Sequence, residues 1–305
     1  MQTQTVNAIK RHKLYYLLIL PGVLYFLVFH YVPMYGITIA FKDIAPFEGL
    51  KGIFTAEWVG LQHFKNFASS YYFWDIIGNT LTISVYRLVF GFPAPIILAL
   101  LINEARHVMF KRTVQTISYL PHFISMVVLA GLTTTLLSTD GGFINGLLQK
   151  LGFEPVAFLT DTNTFRPVLV ISAIWKEVGW SSIIYLAAIA GVDPQLYEAA
   201  KVDGASRLRQ IWHITIPGIS HIIVILFILQ IGHIMDAGFE QVFLLYSPPV
   251  YDVADIIDTY VYRKGLVEVQ YSFAAAVGLF KSVIAVILVV GANYLAKKID
   301  QEGIW

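Results

Sequence analysis

Two sets of charged residues stand out in this 305-residue chain because their surroundings are almost wholly apolar. The first is the segment Glu198-Ala199-Ala200-Lys201-Val202-Asp203-Gly204-Ala205, followed by Ile214-Thr215-Ile216-Pro217. Glu198 offers a carboxylate to a partner arginine, and Ala199 and Ala200 make a narrow face that a groove can approach closely. The second set is scattered. Arg87, the neighbours Lys176 and Glu177, and Lys281 each interrupt a long apolar run. A charge at the centre of a membrane helix costs about 2.5–3.5 kcal/mol or more, so these groups should face protein or water rather than lipid. No nucleophile elbow, His-Glu-x-x-His pair, paired aspartates or glycine-rich phosphate loop accompanies them, which argues against an enzyme and against an ATPase. His30, His122, His221 and His233 lack metal-ligand spacing and read as solitary polar or interfacial residues.

The elements that position these residues follow from composition. Hydrophobic residues make up 57% of the chain and the mean hydropathy is +0.66, above the usage of about 45–50% in soluble domains. A net charge of +1 leaves no nucleic-acid footprint, and zero cysteines exclude disulfides and thiolate sites. Runs long enough for the roughly 20-residue hydrocarbon crossing cover Leu14–Phe41, Ile76–Ile102, Thr113–Thr139, Pro167–Val192, Ile214–Met235 and Val269–Ala296. They predict an all-α protein of six membrane helices. Lys10, Arg11, Lys13, Arg106, Lys111, Arg112, Lys201, Arg207, Arg209, Lys297 and Lys298 fall on one side of these spans. The other side has fewer basic residues and is rich in acids, Asp43, Asp140, Asp252, Asp255 and Asp258 among them. Positive charge stays inside, so both termini are expected in the cytoplasm, with an uncleaved first helix. The organisation expected is residues 1–75 for the tail, first helix and outer loop, 76–299 for a five-helix core, and 300–305 for a tail.

Within the core, Asp193-Pro194 reads as a helix cap followed by proline in the first turn, and Gly204 can end that helix at positive φ. Ser206 caps a second short helix, and Pro217 opens the fifth span. The product is a cytoplasmic helix–turn–helix near 194–213. Arg87, Glu177 and Lys281 lie 11, 10 and 9 residues into helices that all run inward, a depth of roughly 14–17 Å. They therefore form a polar layer. It either lines a solute path or holds the helices in register through ion pairs, such as Glu177 with Lys281 or Arg87. Being adjacent, Lys176 and Glu177 should point apart. Trp58, Trp74, Trp175 and Trp180 suit interfacial belts better than sugar stacking.

The pattern Glu198-Ala199-Ala200, Gly204, Ile214, Ile216, Pro217 resembles the cytoplasmic signature of membrane subunits of binding-protein-dependent ABC importers, with Ile216 where leucine is usual. Sugar importers often carry a proline where this chain has His221. Asn79-Thr80-Leu81, Leu120-Pro121, Gly142-Phe143-Ile144-Asn145 and Trp175 with Gly179 look like sugar-type permeases. Trp175–Trp180 and Phe92-Pro93-Ala94-Pro95 look like the branch that carries complex oligosaccharides. The resemblance implies a type I importer permease in a bacterial cell membrane. It makes Glu198, Ala199, Ala200, Asp203, Gly204, Ala205, Ile214 and Pro217 the element that couples to ATPase subunits. It also implies two cytoplasmic ATPases holding ATP and magnesium, a second and non-identical permease, an extracellular solute-binding protein, and no cofactor on this chain. Arg87, Lys176 and Lys281 against Glu177 leave two positive charges in excess, which predicts an acidic oligosaccharide. The alternatives are a permease for another solute class or a secondary transporter.

Overall fold

The computed structural model describes residues 12–298. The expected cytoplasmic tails, including Lys10, Arg11 and the segment 300–305, lie outside the described residues. The main helices are α1 (Lys13–Phe41), α2 (Phe73–Glu104), α3 (Val108–Phe123), α4 (Met126–Leu137), α5 (Phe143–Lys150) and α6 (Thr162–Ala190). They continue with α7 (Pro194–Val202), α8 (Arg207–Gly218), α9 (Ser220–Gly232), α10 (Phe239–Leu245), α11 (Ile257–Tyr262) and α12 (Tyr271–Lys298). Among the described residues, α1, α2, α6 and α12 are each long and apolar enough to cross a membrane. The bent pairs α3/α4 and α8/α9 raise the number to six if each pair is one span.

These two bends break the single helices expected over Thr113–Thr139 and Ile214–Met235. The α3/α4 pair turns by 105°. Pro121 sits in a tight 3-10 turn, Ile124 and Ser125 are extended, and the Ser125 hydroxyl then accepts from the Val128 amide to start α4. A capping residue inside an apolar run is a start signal that hydropathy alone conceals. The α8/α9 pair turns by 63°. Pro217 therefore lies near the end of α8 rather than opening the span, and the break falls at Ile219.

Proline also explains three of the places where helices widen. π-type turns at Leu27–Tyr31, Arg87–Gly91 and Ile211–Thr215 each end two residues before Pro33, Pro93 or Pro217. A proline cannot donate to the carbonyl four residues back and its ring presses on that carbonyl, so the preceding turn shifts register. Arg87 thus begins a widened turn in the middle of α2.

The described chain divides into two compact units. One holds residues 12–70 with Val261–Phe280. Its outer loop pairs strands β1 (Lys42–Asp43) and β2 (Glu57–Trp58) antiparallel, and the buried Lys42 ammonium donates to the Ile53 carbonyl at 2.7 Å and lies 5.0 Å from the centre of the Trp58 ring. Phe67 packs edge-on against Phe280. Most of α1 is exposed apolar surface, which in a membrane meets acyl chains or another subunit.

The other unit holds Tyr71–Tyr260 with residues 281–298. Its core gathers Ile83, Phe165, Leu169, Val242, Val250 and Ile256. Polar residues tie the chain around it. Arg166 reaches the Asn79 side chain at 2.6 Å and the Val253 carbonyl at 3.0 Å, while the Thr80 hydroxyl accepts from the Ile257 amide at 3.0 Å. Asn145 exchanges two hydrogen bonds with Val156. Gly179 lets α6 lie directly on α3, because a Cβ there would run into the Ser118 backbone.

Candidate functional site: an exposed connector helix and the mid-span charges

The connector between α6 and α8 forms as local rules require. The Asp193 carboxylate accepts from the Gln195 amide at 2.9 Å, with Pro194 in the first turn of α7. At the other end Gly204 takes φ +73°, so that the Ala205 amide reaches the Ala200 carbonyl at 2.8 Å and the Gly204 amide reaches Lys201 at 3.1 Å. This double closure satisfies carbonyls that would otherwise be orphaned at the helix end. The Ser206 hydroxyl caps α8 through the Arg209 amide.

Side chains then tie α7 to α8, and α8 to the end of α2. Tyr197 and Thr215 hydroxyls meet at 3.0 Å, and Arg207 pairs with the Glu104 carboxylate at the end of α2 at 3.2 Å. Glu198, Ala199, Asp203 and Gly204 are exposed, with Ala200 and Ala205 half-buried, and Leu196 and Leu208 lie open beside them. Val202, apolar and 88% exposed, completes a mixed apolar and charged surface on this helix. Ile214 is half-buried and Pro217 exposed in α8, behind this surface.

The four mid-span charges do not form one layer. Lys176 and Glu177 converge instead of pointing apart: their ammonium and carboxylate lie 3.0 Å apart. Their long stems bend toward the 3-10 turn at the end of α3, where Lys176 donates to the His122 carbonyl at 3.0 Å and Glu177 meets the His122 ring nitrogen at 2.9 Å. His122 is therefore not solitary, and its ring stacks on Trp180 at 4.6 Å with planes 3° apart. Lys281 sits between two carboxylates, Asp258 and Asp236, each at 2.7 Å. His233 in turn meets Asp236 at 3.3 Å. Neither Lys281 nor Arg87 is paired with Glu177.

Arg87 bonds to the side-chain oxygen of Gln241. That buried amide is oriented by its own donation to the Leu169 carbonyl at 3.1 Å and the Ser172 hydroxyl at 2.7 Å. Gly238, at φ +74°, leaves the space that the Arg87 guanidinium occupies. The charge count therefore changes. Asp236 and Asp258 join Glu177 against Arg87, Lys176 and Lys281, three against three, so the expected excess of two positive charges is absent. Sequence position places Asp258 among outer-loop acids and Asp236 beyond the fifth run; only the return of the chain at 234–262 brings both to Lys281. A cavity of about 650 Å³ lies among α2, α6 and α9, lined by Arg87, Glu177, Trp180, Gln230 and His233 with apolar side chains between them. Among the described residues, no group of three or more histidines or carboxylates could hold a metal ion.

Residues 91–301, more than half of the chain, match the family described as binding-protein-dependent transport system inner membrane component. The chain belongs to this family. Two relatives from Bacillus subtilis (strain 168) match nearly end to end. The polygalacturonan/rhamnogalacturonan transport system permease protein YteP is 52% identical over 295 residues, 97% of this chain and 91% of that protein. Protein LplB is 49% identical over 298 residues, 98% of this chain and 93% of its own length. A solved structure of a bacterial ABC transporter involved in import of the acidic polysaccharide alginate contains a chain that is 44% identical, with TM-score 0.91 over 97% of this chain and 99% of that one. This inner-membrane component thus has the fold of a type I ABC importer permease, as its signature implies.

Proposed function

We propose that this chain is one permease subunit of an ATP-driven importer of acidic oligosaccharides. In this reading the chain crosses the membrane six times, counting each bent pair as one, with both termini and α7 in the cytoplasm, an orientation supported by the distribution of basic residues. Residues 76–299 form the permease core, and the segment 194–213 within it couples to two ATPase subunits that hold ATP and magnesium. A second, non-identical permease completes the translocation path, and an extracellular binding protein delivers the sugar. The observation that carries the coupling assignment is the exposed connector helix α7, hydrogen-bonded to α8 through Tyr197, with Glu198 on its open side and Gly204 exposed just beyond its end. The substrate class is supported by the relatives' named cargoes, polygalacturonan and alginate, both polymers of uronic acids. It no longer draws support from surplus charge.

The test is transport in proteoliposomes containing both permeases, the ATPases and the binding protein. Glu198→Lys puts a cation where the ATPase groove should meet a carboxylate. Gly204→Val forces a β-branched residue into a left-handed conformation, costing about 1–3 kcal/mol. Both are expected to abolish substrate-stimulated ATP hydrolysis and uptake while the four-subunit assembly still purifies. Normal uptake by both variants would refute the assignment of α7.

A further inference from the structure

We infer that Arg87 is the residue that recognises substrate carboxylate in this permease, inside the cavity among α2, α6 and α9. The inference rests on the proposed acidic-sugar reading and assigns a particular side chain to it. Three observations converge on this residue. First, the other two mid-span cations are already neutralised, Lys176 by Glu177 and Lys281 by Asp236 and Asp258, and neither lines the cavity. Arg87 does line it, and among the described residues its bonding partner is a neutral amide rather than a carboxylate. A guanidinium has five N–H donors; one serves Gln241, and the buried Nε has no partner.

Second, the guanidinium is held rather than free. Gln241 is locked with its oxygen toward Arg87, because its nitrogen is spent on Leu169 and Ser172. Gly238 supplies the room, and the π-type turn at Arg87–Gly91 sets the side chain's origin. Such a fixed planar fork suits paired hydrogen bonds to a carboxylate. Third, the rest of the cavity suits a sugar. Its volume falls in the range of about 300–1,000 Å³ typical of small-molecule sites. Glu177, Gln230 and His233 offer partners for hydroxyls, and Trp180, braced by His122, offers an aromatic surface.

The test is equilibrium binding to the assembled importer in nanodiscs, without the binding protein, so that selectivity reports the permeases alone. The probes are a galacturonate tetrasaccharide and the same tetrasaccharide with its carboxyls reduced to alcohols. The readout is the ratio of the two affinities. Wild type should prefer the acidic form. Arg87→Gln should lower the ratio by about tenfold or more, as loss of a charge-assisted hydrogen bond predicts, and Arg87→Lys should recover part of it. Gln241→Glu keeps Arg87 but gives it an internal carboxylate, and should lower the ratio similarly. This variant decides the matter if Arg87→Gln does not assemble. An unchanged ratio in Arg87→Gln or Gln241→Glu, or equal loss of both probes, would overturn the inference. If wild type binds neither probe, the acidic-sugar reading beneath it fails instead.

Discussion

Lys281 is held by two carboxylates contributed from distant parts of the chain, Asp236 just beyond α9 and Asp258 in α11. The ammonium is mostly buried, Asp258 is largely so, and Asp236 is half exposed. Removing one partner from such a cluster leaves the others desolvated without compensation, whereas removing charges together restores balance. Lys281→Met is therefore expected to lower the thermal stability of the purified complex, by about 1–3 kcal/mol. Adding Asp258→Asn should return part of that loss, because the two residues interact directly. Thermal unfolding of the single and double variants measures this coupling; strictly additive effects would mean that the contact contributes nothing. The same reasoning separates the three cations by role: Lys176 and Lys281 brace helices, whereas Arg87 faces the cavity.

At the level of elements, the contact between α6 and α3 depends on the absence of a side chain at Gly179. A methyl group there meets the Ser118 backbone, which cannot rotate away as a flexible side chain can. Gly179→Ala should force the helices apart and cost about 1–3 kcal/mol, the usual effect of overpacking. The displacement would also disturb Lys176, Glu177 and Trp180, which hang on the same stretch of α6. Gly131 in α4 is a matched control, since a Cβ there meets nothing within 4 Å. Gly131→Ala should be neutral or slightly stabilising. Comparable yield and melting temperature for both alanine variants would disprove close packing at Gly179.

Across the whole molecule, the proposed six-span topology makes a prediction about sidedness. In that proposed topology Asp140, exposed in the turn between α4 and α5, lies outside, and Met109, exposed near the start of α3, lies inside. The chain has no cysteine, so single cysteines can be introduced without background. In intact cells, Asp140→Cys should react with a membrane-impermeant thiol reagent, and Met109→Cys should react only after the membrane is opened. The reverse pattern would invert the orientation that the basic residues imply.

Local and global information divide cleanly along this chain. The extent of four spans, the cap at Asp193, the glycine exit at Gly204 and the cap at Ser206 were all open to reading from the sequence. Each depends on composition over one run or on hydrogen bonds between residues a few positions apart. The bends in the other two apolar runs were not, because hydropathy measures length and is blind to the Ser125 cap and the break at Ile219. The partners of the charges were even less accessible. Lys281 lies 45 positions from Asp236 and 23 from Asp258, Arg87 lies 154 from Gln241, and Glu177 lies 55 from His122. Such pairings are set by how helices pack and where the chain turns back between them, so the number of charges was a property of the sequence but their balance was decided only by the tertiary structure.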